Sequence, residues 1–167
     1  MTPNDYIKKY LPFAKNVEAE TGIPALAMLA QSAGESGWNE TPGNMMFGVK
    51  DTDGINGNEQ LVRTKEYLPV PDAEFPVIHS VTPVVKNGVQ MYKYDVETWF
   101  VKYDTPEESF MDYARFIMEN ARYKKALAVK HDPEMFLREI ARAGYATGTE
   151  YEEYLVSMLK SVLKRLK

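Results

Sequence analysis

The stretch ALAMLAQSAGESGW, residues 25–38, decides the fold that we expect for this 167-residue chain. It follows Ile23-Pro24 and is apolar or small on nearly every side as far as Ser36, so it predicts a helix in the middle of a core. Glu35 is the anomaly at its end, because carboxylates are seldom placed in such surroundings. Burial would raise the pKa of this carboxyl, as a general acid working near neutrality requires. From position alone, a frayed helix end with Glu35 in water is an equally good interpretation.

Signals for helix starts recur on both sides of this stretch. A Thr or Asp cap followed by Pro, or by an acidic residue three positions later, predicts a helix start. The pattern occurs at Thr2-Pro3 with Asp5, Thr105-Pro106 with Glu108, Asp132-Pro133, and Thr149 with Glu152. The stripe predicted to be buried on the first helix is Ile7, Leu11, Ala14 and Val17.

Residues 59–103 differ from the rest because they are rich in β-branched and aromatic residues. They predict four strands, at Gln60–Leu68, Val77–Val85, Val89–Tyr94 and Thr98–Tyr103. Lys86-Asn87-Gly88 predicts a hairpin turn, and the prolines from Pro69 to Pro83 favour irregular or edge segments. We therefore expect an α+β fold, mainly α, as a single domain over residues 1–167 with a β-rich insert at about 59–103.

The composition excludes several kinds of site. The chain has no cysteine, which excludes disulfides and thiolate chemistry, and only two histidines, His79 and His131, for which we expect unpartnered surface positions. Residues 51–57 resemble a calcium loop only faintly, since the ligand at its fifth position and the final glutamate are missing. We therefore expect no metal and no cofactor.

Charge and hydropathy set expectations for partners. The net charge is −4 and the one basic run, residues 160–167, fits the solvated end of a helix, so we expect no nucleic-acid partner. The sequence contains no stretch of about 18 apolar residues, so it does not predict a membrane span. The N-terminus lacks the apolar run of a signal peptide, so we expect either a mature domain or export without an ordinary signal.

If Glu35 is the acid of a glycosidase, a second carboxylate should face it. Glu66 is the best candidate, because it lies on the first predicted strand. Taken alone, a charged residue on the wet face of a strand is the commoner situation. Weaker candidates in the same insert are Asp51, Asp53, Glu59, Glu74 and Asp95.

Five motifs occur together and in a fixed order along the chain. They are GIP at 22–24, AQSAGESGW at 30–38, NMMFGVK at 44–50, YD at 103–104 with ESF at 108–110 and DY at 112–113, and GYAT at 144–147. In this combination the chain resembles the peptidoglycan β-N-acetylglucosaminidases of glycoside hydrolase family 73, which include flagellar rod-assembly proteins and autolysins. The resemblance runs from about Ile7 to Leu159.

The resemblance implies a lysozyme-like fold with a cleft between a helical body and a small β-lobe. It implies cleavage of the β-1,4 bond between N-acetylglucosamine and N-acetylmuramic acid in peptidoglycan strands, at the bacterial wall. We also expect the chain to act as a monomer. Glu35 would be the catalytic acid, Glu66 would position or activate water, and Tyr145 would lie near the scissile bond. We expect substrate contacts from Gln31, Trp38, Asn44, Phe47 and Tyr151.

Three alternatives stay open. The same fold and Glu35 would serve a muramidase or a lytic transglycosylase, and a non-catalytic wall-binding or assembly module could keep the scaffold. Tyr151, with Tyr154 and Met158 at helical spacing, also fits a core stripe.

One departure from the family stands next to Glu35: Gly34 replaces a bulky aliphatic residue, and we expect it to relieve crowding or to admit a neighbour close to the backbone.

Overall fold

The computed structural model describes residues 1–167 and contains six α-helices and one antiparallel sheet of three strands. The helices are α1 (Pro3–Thr21), α2 (Ala25–Ser36), α3 (Pro106–Glu119), α4 (Lys124–Ala128), α5 (Pro133–Arg142) and α6 (Tyr151–Arg165). The strands are β1 (Glu59–Leu68), β2 (Val77–Lys86) and β3 (Val89–Val101). Two compact units result: a helical unit, Met1–Phe47 with Tyr103–Lys167, and a sheet unit, Gly48–Lys102.

Helix α2 is the central element of the helical unit, as its composition predicts. It packs against α1, α5 and α6. Ala27, Met28, Leu29, Ala30 and Ala33 have no solvent-exposed surface. The small alanine side chains let these neighbouring helices pack close to α2, so the backbone that carries Glu35 is held by its surroundings.

Three of the four predicted helix starts are confirmed, each by a side-chain oxygen that accepts a backbone N–H three residues later. Thr2 accepts from Asp5 at 3.1 Å, Thr105 from Glu108 at 3.3 Å and Asp132 from Met135 at 3.1 Å. The predicted stripe Ile7, Leu11, Ala14 and Val17 is buried. These caps satisfy backbone donors that no helical hydrogen bond can reach.

The fourth predicted start, at Thr149, is wrong. Helix α6 begins at Tyr151, Glu150 occupies the cap position, and no side chain caps it. The carboxylate of Glu152 instead accepts hydrogen bonds from Arg138 at 2.8 Å and from Arg142 at 2.7 Å. Two guanidinium groups bind a carboxylate more strongly than one backbone amide does, so the capping box does not form.

The sheet unit has the strand order β1-β3-β2, with three strands where the sequence predicts four. The two last predicted strands are one continuous strand of 13 residues, β3. Its charged middle is paired with neighbouring strands: Asp95 binds Arg63 through two contacts of 2.9 Å, and Glu97 lies 2.9 Å from His79. His79 therefore has a partner, contrary to expectation.

Local signals in the sheet unit are confirmed. Asn87 and Gly88 have φ of 52° and 76°, as a two-residue hairpin turn between β2 and β3 requires. Pro83 lies on β2, which is an edge strand. Beside the sheet, the hydroxyl of buried Tyr94 donates to the carbonyl of Val70 at 2.5 Å and accepts from the amide of Ala73 at 3.1 Å, which holds the proline-rich segment.

The expected class, α+β and mainly α, is confirmed. None of the helices combines the length and the apolar character that crossing a membrane would need.

Candidate active site

The end of α2 determines where Glu35 lies. The helix stops after Ser36 because the next two residues adopt left-handed conformations, with φ of 61° at Gly37 and 66° at Trp38. The amide of Trp38 then donates to the carbonyl of Ala33 at 3.1 Å. A non-glycine residue in this conformation is strained. The Trp38 ring packs edge to face against Tyr6, at 5.8 Å between ring centroids. Glu35 is thereby fixed in the last helical turn.

The Glu35 side chain is exposed at the protein surface, although neighbouring protein atoms remove part of the hydration of its carboxyl group. This desolvation raises the pKa of Glu35, and no cation lies close enough to oppose the shift. The C-terminal carbonyls of α2 also disfavour a negative charge in the same turn. The carboxyl is therefore suited to hold a proton at a higher pH than an ordinary glutamate.

An aromatic cluster of the helical unit surrounds Tyr145. Its members are Tyr113, Phe116, Tyr123, Tyr145 and Tyr151. The Tyr145 ring lies 6.0 Å from Tyr113 and 6.5 Å from Tyr151, with which it is nearly parallel. Four separate segments thus contribute rings to one patch: α3, the turn at residues 121–123, the Gly144–Thr147 turn and the start of α6.

Three phenols of this cluster, Tyr113, Tyr145 and Tyr151, are close enough to Glu35 to respond to its charge. Burial, and then the negative charge of Glu35, raise the pKa of Tyr145 and of Tyr151 well above that of a free tyrosine. The pKa of Tyr113 is raised mainly by burial. All three hydroxyls therefore stay protonated, and those of Tyr145 and Tyr151 can donate hydrogen bonds beside Glu35.

Gln31, one helical turn before Glu35, is fully buried. Its Oε1 accepts a hydrogen bond from the Tyr113 hydroxyl at 2.6 Å, and its Nε2 donates to the Tyr151 hydroxyl at 3.1 Å. The sequence places Gln31 among the substrate contacts, whereas both ends of its amide are occupied by protein. Because Tyr151 accepts from Gln31, its own proton is free to be donated elsewhere.

The loop of residues 44–47 is held by the motif that lies at residues 103–113. Asn44, with φ of 53°, donates from Nδ2 to the carbonyls of Tyr103 at 3.0 Å and Asp104 at 3.2 Å. The Met46 amide donates to buried Ser109 at 3.0 Å. Phe47 is buried and stacks on Tyr113 at 4.2 Å. Asn44 thus fixes its loop.

Glu66 lies on β1 in the sheet unit and is half-buried. The ammonium of Lys50 approaches its carboxylate to 2.6 Å. The competing carboxylates Glu59 and Asp95 are otherwise engaged: Glu59 accepts from the amides of the 56–57 turn, and Asp95 binds Arg63. Asp51 and Asp53 share a hydrogen bond, which raises the pKa of Asp51.

No group of three or more acidic or histidine side chains is arranged to hold a metal ion.

Gly34 admits a neighbour to the backbone, as expected. The Tyr154 hydroxyl donates to the Gly34 carbonyl at 2.9 Å. A Cβ atom at position 34 would lie 3.0 Å from Cε2 of Tyr154. The glycine therefore makes room for a tyrosine of α6 immediately beside Glu35.

Sequence reasoning missed Tyr113, Tyr123 and Lys50 as neighbours of the candidate site residues. Tyr113 and Tyr123 look like ordinary core residues in the sequence, and both are buried. A signal was nevertheless present, because Tyr113 and Lys50 stand inside the quoted motifs at 112–113 and 44–50. Tyr123 carries no such signal.

Comparison with known proteins identifies the family and the fold. Residues 11–164 match the glucosaminidase family, described as mannosyl-glycoprotein endo-β-N-acetylglucosaminidase. The peptidoglycan hydrolase FlgJ of Vibrio parahaemolyticus is 27% identical over 168 residues, covering 96% of this chain and 48% of that protein. Its namesake in Vibrio cholerae is 29% identical, covering 90% and 41%. The glycoside hydrolase domain of Salmonella typhimurium FlgJ, in a C-terminally truncated form, superposes with a TM-score of 0.69 at 26% identity, covering 98% and 99%.

These matches define the class as a lysozyme-like glycoside hydrolase domain, which confirms the expected fold. The chain belongs to the glucosaminidase family. It spans about half the length, or less, of the curated relatives named above.

Proposed function

We propose that this chain cleaves the β-1,4 glycosidic bond between N-acetylglucosamine and N-acetylmuramic acid in bacterial cell-wall peptidoglycan. One observation carries the proposal: Glu35, with its raised pKa, stands beside neutral phenols on the last turn of α2. The family match over residues 11–164 and the peptidoglycan hydrolases among the relatives support the choice of substrate. The site of action would then be the bacterial wall.

In the proposed reaction Glu35 is the general acid. Its proton passes to the bridging oxygen as the glycosidic bond breaks, and positive charge builds on the sugar ring. A raised pKa serves this step, because a carboxyl that is still protonated near neutral pH can donate. After the bond breaks, Glu35 is the carboxylate that can accept a proton.

Tyr145 and Tyr151 would act as neutral hydrogen-bond donors beside the acid. The phenol of Tyr145 could hold the N-acetyl group of the sugar or support the positive charge that develops on the ring. Gln31 would position Tyr151, because its amide donates to the Tyr151 hydroxyl and so leaves the phenol proton of Tyr151 free to be donated to the substrate. Trp38, Asn44 and Phe47 would shape the surrounding surface.

We propose Glu66 as the group that positions or activates the attacking water. Its ion pair with Lys50 orients the carboxylate and leaves one oxygen for a further hydrogen bond. Glu66→Gln should then lower kcat and leave KM nearly unchanged, because glutamine keeps the shape and loses the basic oxygen.

The direct test uses Glu35→Gln on purified sacculi, with Glu20→Gln as the control. Glu20 is an exposed glutamate of α1, also in the helical unit, so its substitution makes the same change in charge. We expect Glu35→Gln to lose at least about 100-fold in kcat, as is typical for removal of a general acid, and Glu20→Gln to keep full activity. Clearing of sacculi by Glu35→Gln at the wild-type rate would disprove the assignment.

Mass spectrometry of the products tests the bond that is cut. Reducing N-acetylglucosamine ends support the proposal. Reducing muramic acid ends would indicate a muramidase, anhydro-muramic ends would indicate a lytic transglycosylase, and an absence of cleavage would indicate a binding module.

A further inference from the structure

A second concave surface of the helical unit lies between the segment of residues 121–128 and the end of α5. It is a groove of about 720 Å³. Its charged lining consists of Arg122, Lys124, Lys125, Arg142 and Glu139, and alanines form the remainder. We call it the cationic groove.

The charge of this groove opposes that of the whole chain. Four cationic side chains face a single carboxylate, although the net charge of the protein is −4. Glu139 pairs with Arg142 at 3.4 Å, and Arg142 also binds Glu152. Arg122, Lys124 and Lys125 have no carboxylate within ion-pair distance. These three cations are therefore available to bind an anionic ligand.

The groove adjoins the aromatic cluster. The guanidinium of Arg122 lies over the Tyr123 ring at 5.0 Å, and the Tyr123 ring is 6.3 Å from that of Tyr145. Arg122 also comes within 4.0 Å of the place where a side chain on Gly144 would begin. A bound strand that contacts Tyr145 would therefore have part of its length near these cations.

We propose that the cationic groove binds the carboxylates of the peptide stems that peptidoglycan strands carry on their muramic acid residues. The inference rests on the proposed function and extends it, because it makes peptide-bearing strands the preferred substrate. Peptide stems carry several carboxylates on a flexible chain, and exposed lysine and arginine side chains can meet them without a rigid fit. The sugars would contact the tyrosines, and the stem would contact Arg122, Lys124 and Lys125.

The physical consequence is a contribution to binding and none to chemistry. Ion pairs at an exposed groove act on substrate and transition state alike, so they should change KM and leave kcat unchanged. They should also weaken as salt is added, since the Debye length falls from about 10 Å at 0.1 M to about 3 Å at 1 M.

The experiment compares two substrates made from the same sacculi: soluble glycan strands with their peptides, and strands from which an amidase has removed the peptides. The test variant is Lys124→Ala/Lys125→Ala. The matched control is Lys8→Ala/Lys15→Ala, which removes two exposed lysines of α1 and makes the same change in net charge.

On peptide-bearing strands we expect KM of the test variant to rise about three- to tenfold at low salt, with kcat unchanged. On stripped strands it should match the wild type, and the control should match the wild type on both. Equal effects on the two substrates, or none on either, would overturn the inference.

Failure of this inference is distinguishable from failure of the proposed function. If the wild type cuts both substrates and the lysine variant changes neither KM, only the groove is misassigned. If the wild type cuts neither substrate, the proposed function itself is wrong.

Discussion

Replacing Gln31 by leucine tests whether the buried amide holds the aromatic cluster together. Leucine nearly fills the same volume, so the change removes hydrogen bonds without opening a large cavity. Two bonds are lost, from the Tyr113 hydroxyl at 2.6 Å and to the Tyr151 hydroxyl at 3.1 Å. Tyr113 is only 3% exposed, so its hydroxyl cannot turn to water. Tyr151 is half-buried and can be rehydrated in part.

The magnitude follows from these two hydroxyls. A buried polar group without a partner costs about 1–3 kcal/mol, which applies in full to Tyr113 and in part to Tyr151. We expect Gln31→Leu to lower the free energy of unfolding by about 2–4 kcal/mol. For a chain of 167 residues, each kcal/mol corresponds to about 2–4 °C, so Tm should fall by about 4–16 °C.

Urea unfolding with a double-mutant cycle provides the assay. Tyr113→Phe removes the hydroxyl that Gln31→Leu leaves unpaired, so the double variant should recover about 1–2 kcal/mol relative to the sum of the single changes. Activity well below Tm gives a second measurement, in which we expect kcat to fall because Tyr151 is no longer oriented. If Gln31→Leu unfolds within about 0.5 kcal/mol of the wild type, or if the two changes are additive, the amide does not hold this cluster.

Three further substitutions test the neighbourhood of Glu35. Burial raises the pKa of Glu35 in the folded state, so its ionisation costs stability as pH rises from the unfolded pKa through the folded one. Glu35→Gln should therefore be more stable than the wild type at pH 7 and lose that advantage below about pH 4. Thermal unfolding at both pH values measures this, and a difference in stability that does not depend on pH would contradict it. Gly34→Ala should raise the free energy of unfolding by about 1 kcal/mol through helix propensity, but only in a Tyr154→Ala background. In the wild-type background the Tyr154 ring lies 3.0 Å from the new Cβ and opposes the gain. An equal gain with Tyr154 present would refute the contact. The buried Tyr123 hydroxyl has no hydrogen-bond partner, so Tyr123→Phe should stabilise the protein by about 1 kcal/mol in urea unfolding, and a loss of similar size would show that the hydroxyl is used.

The sequence could predict those features that depend on neighbours within a few residues. The caps at Thr2, Thr105 and Asp132 each use an amide three positions away, and the Asn87-Gly88 turn needs only its own backbone conformation. The residue types at nearby positions are enough to predict such interactions. They account for the correct start of three helices and for the hairpin.

The errors arise where a distant residue competes for a local group. Glu152 would cap α6 if Arg138 and Arg142 did not reach it from α5. The charged middle of β3 resembles a strand break until Arg63 and His79 on neighbouring strands pair with it. No local pattern reports a partner that many positions away.

The candidate site also combines features that the local sequence predicts with contacts that depend on distant residues. The sequence singles out Glu35 because a carboxylate on an apolar helix is unusual, and the family motifs single out Tyr145. The contacts of Gln31 could not be foreseen, since its partners lie 82 and 120 positions along the chain. A buried glutamine with two tyrosine partners is a property of the folded core.

The aromatic cluster also explains why one carboxyl can control the charge of this part of the site. Burial keeps the pKa values of Tyr113, Tyr145 and Tyr151 far above neutrality. These phenols stay neutral throughout the range in which Glu35 gains or loses its proton. Because no cation adjoins Glu35, its proton is the one charge that changes among these groups. The alkaline limb of activity should therefore follow a single ionisation, and Tyr145→Phe should lower the rate without moving that limb far.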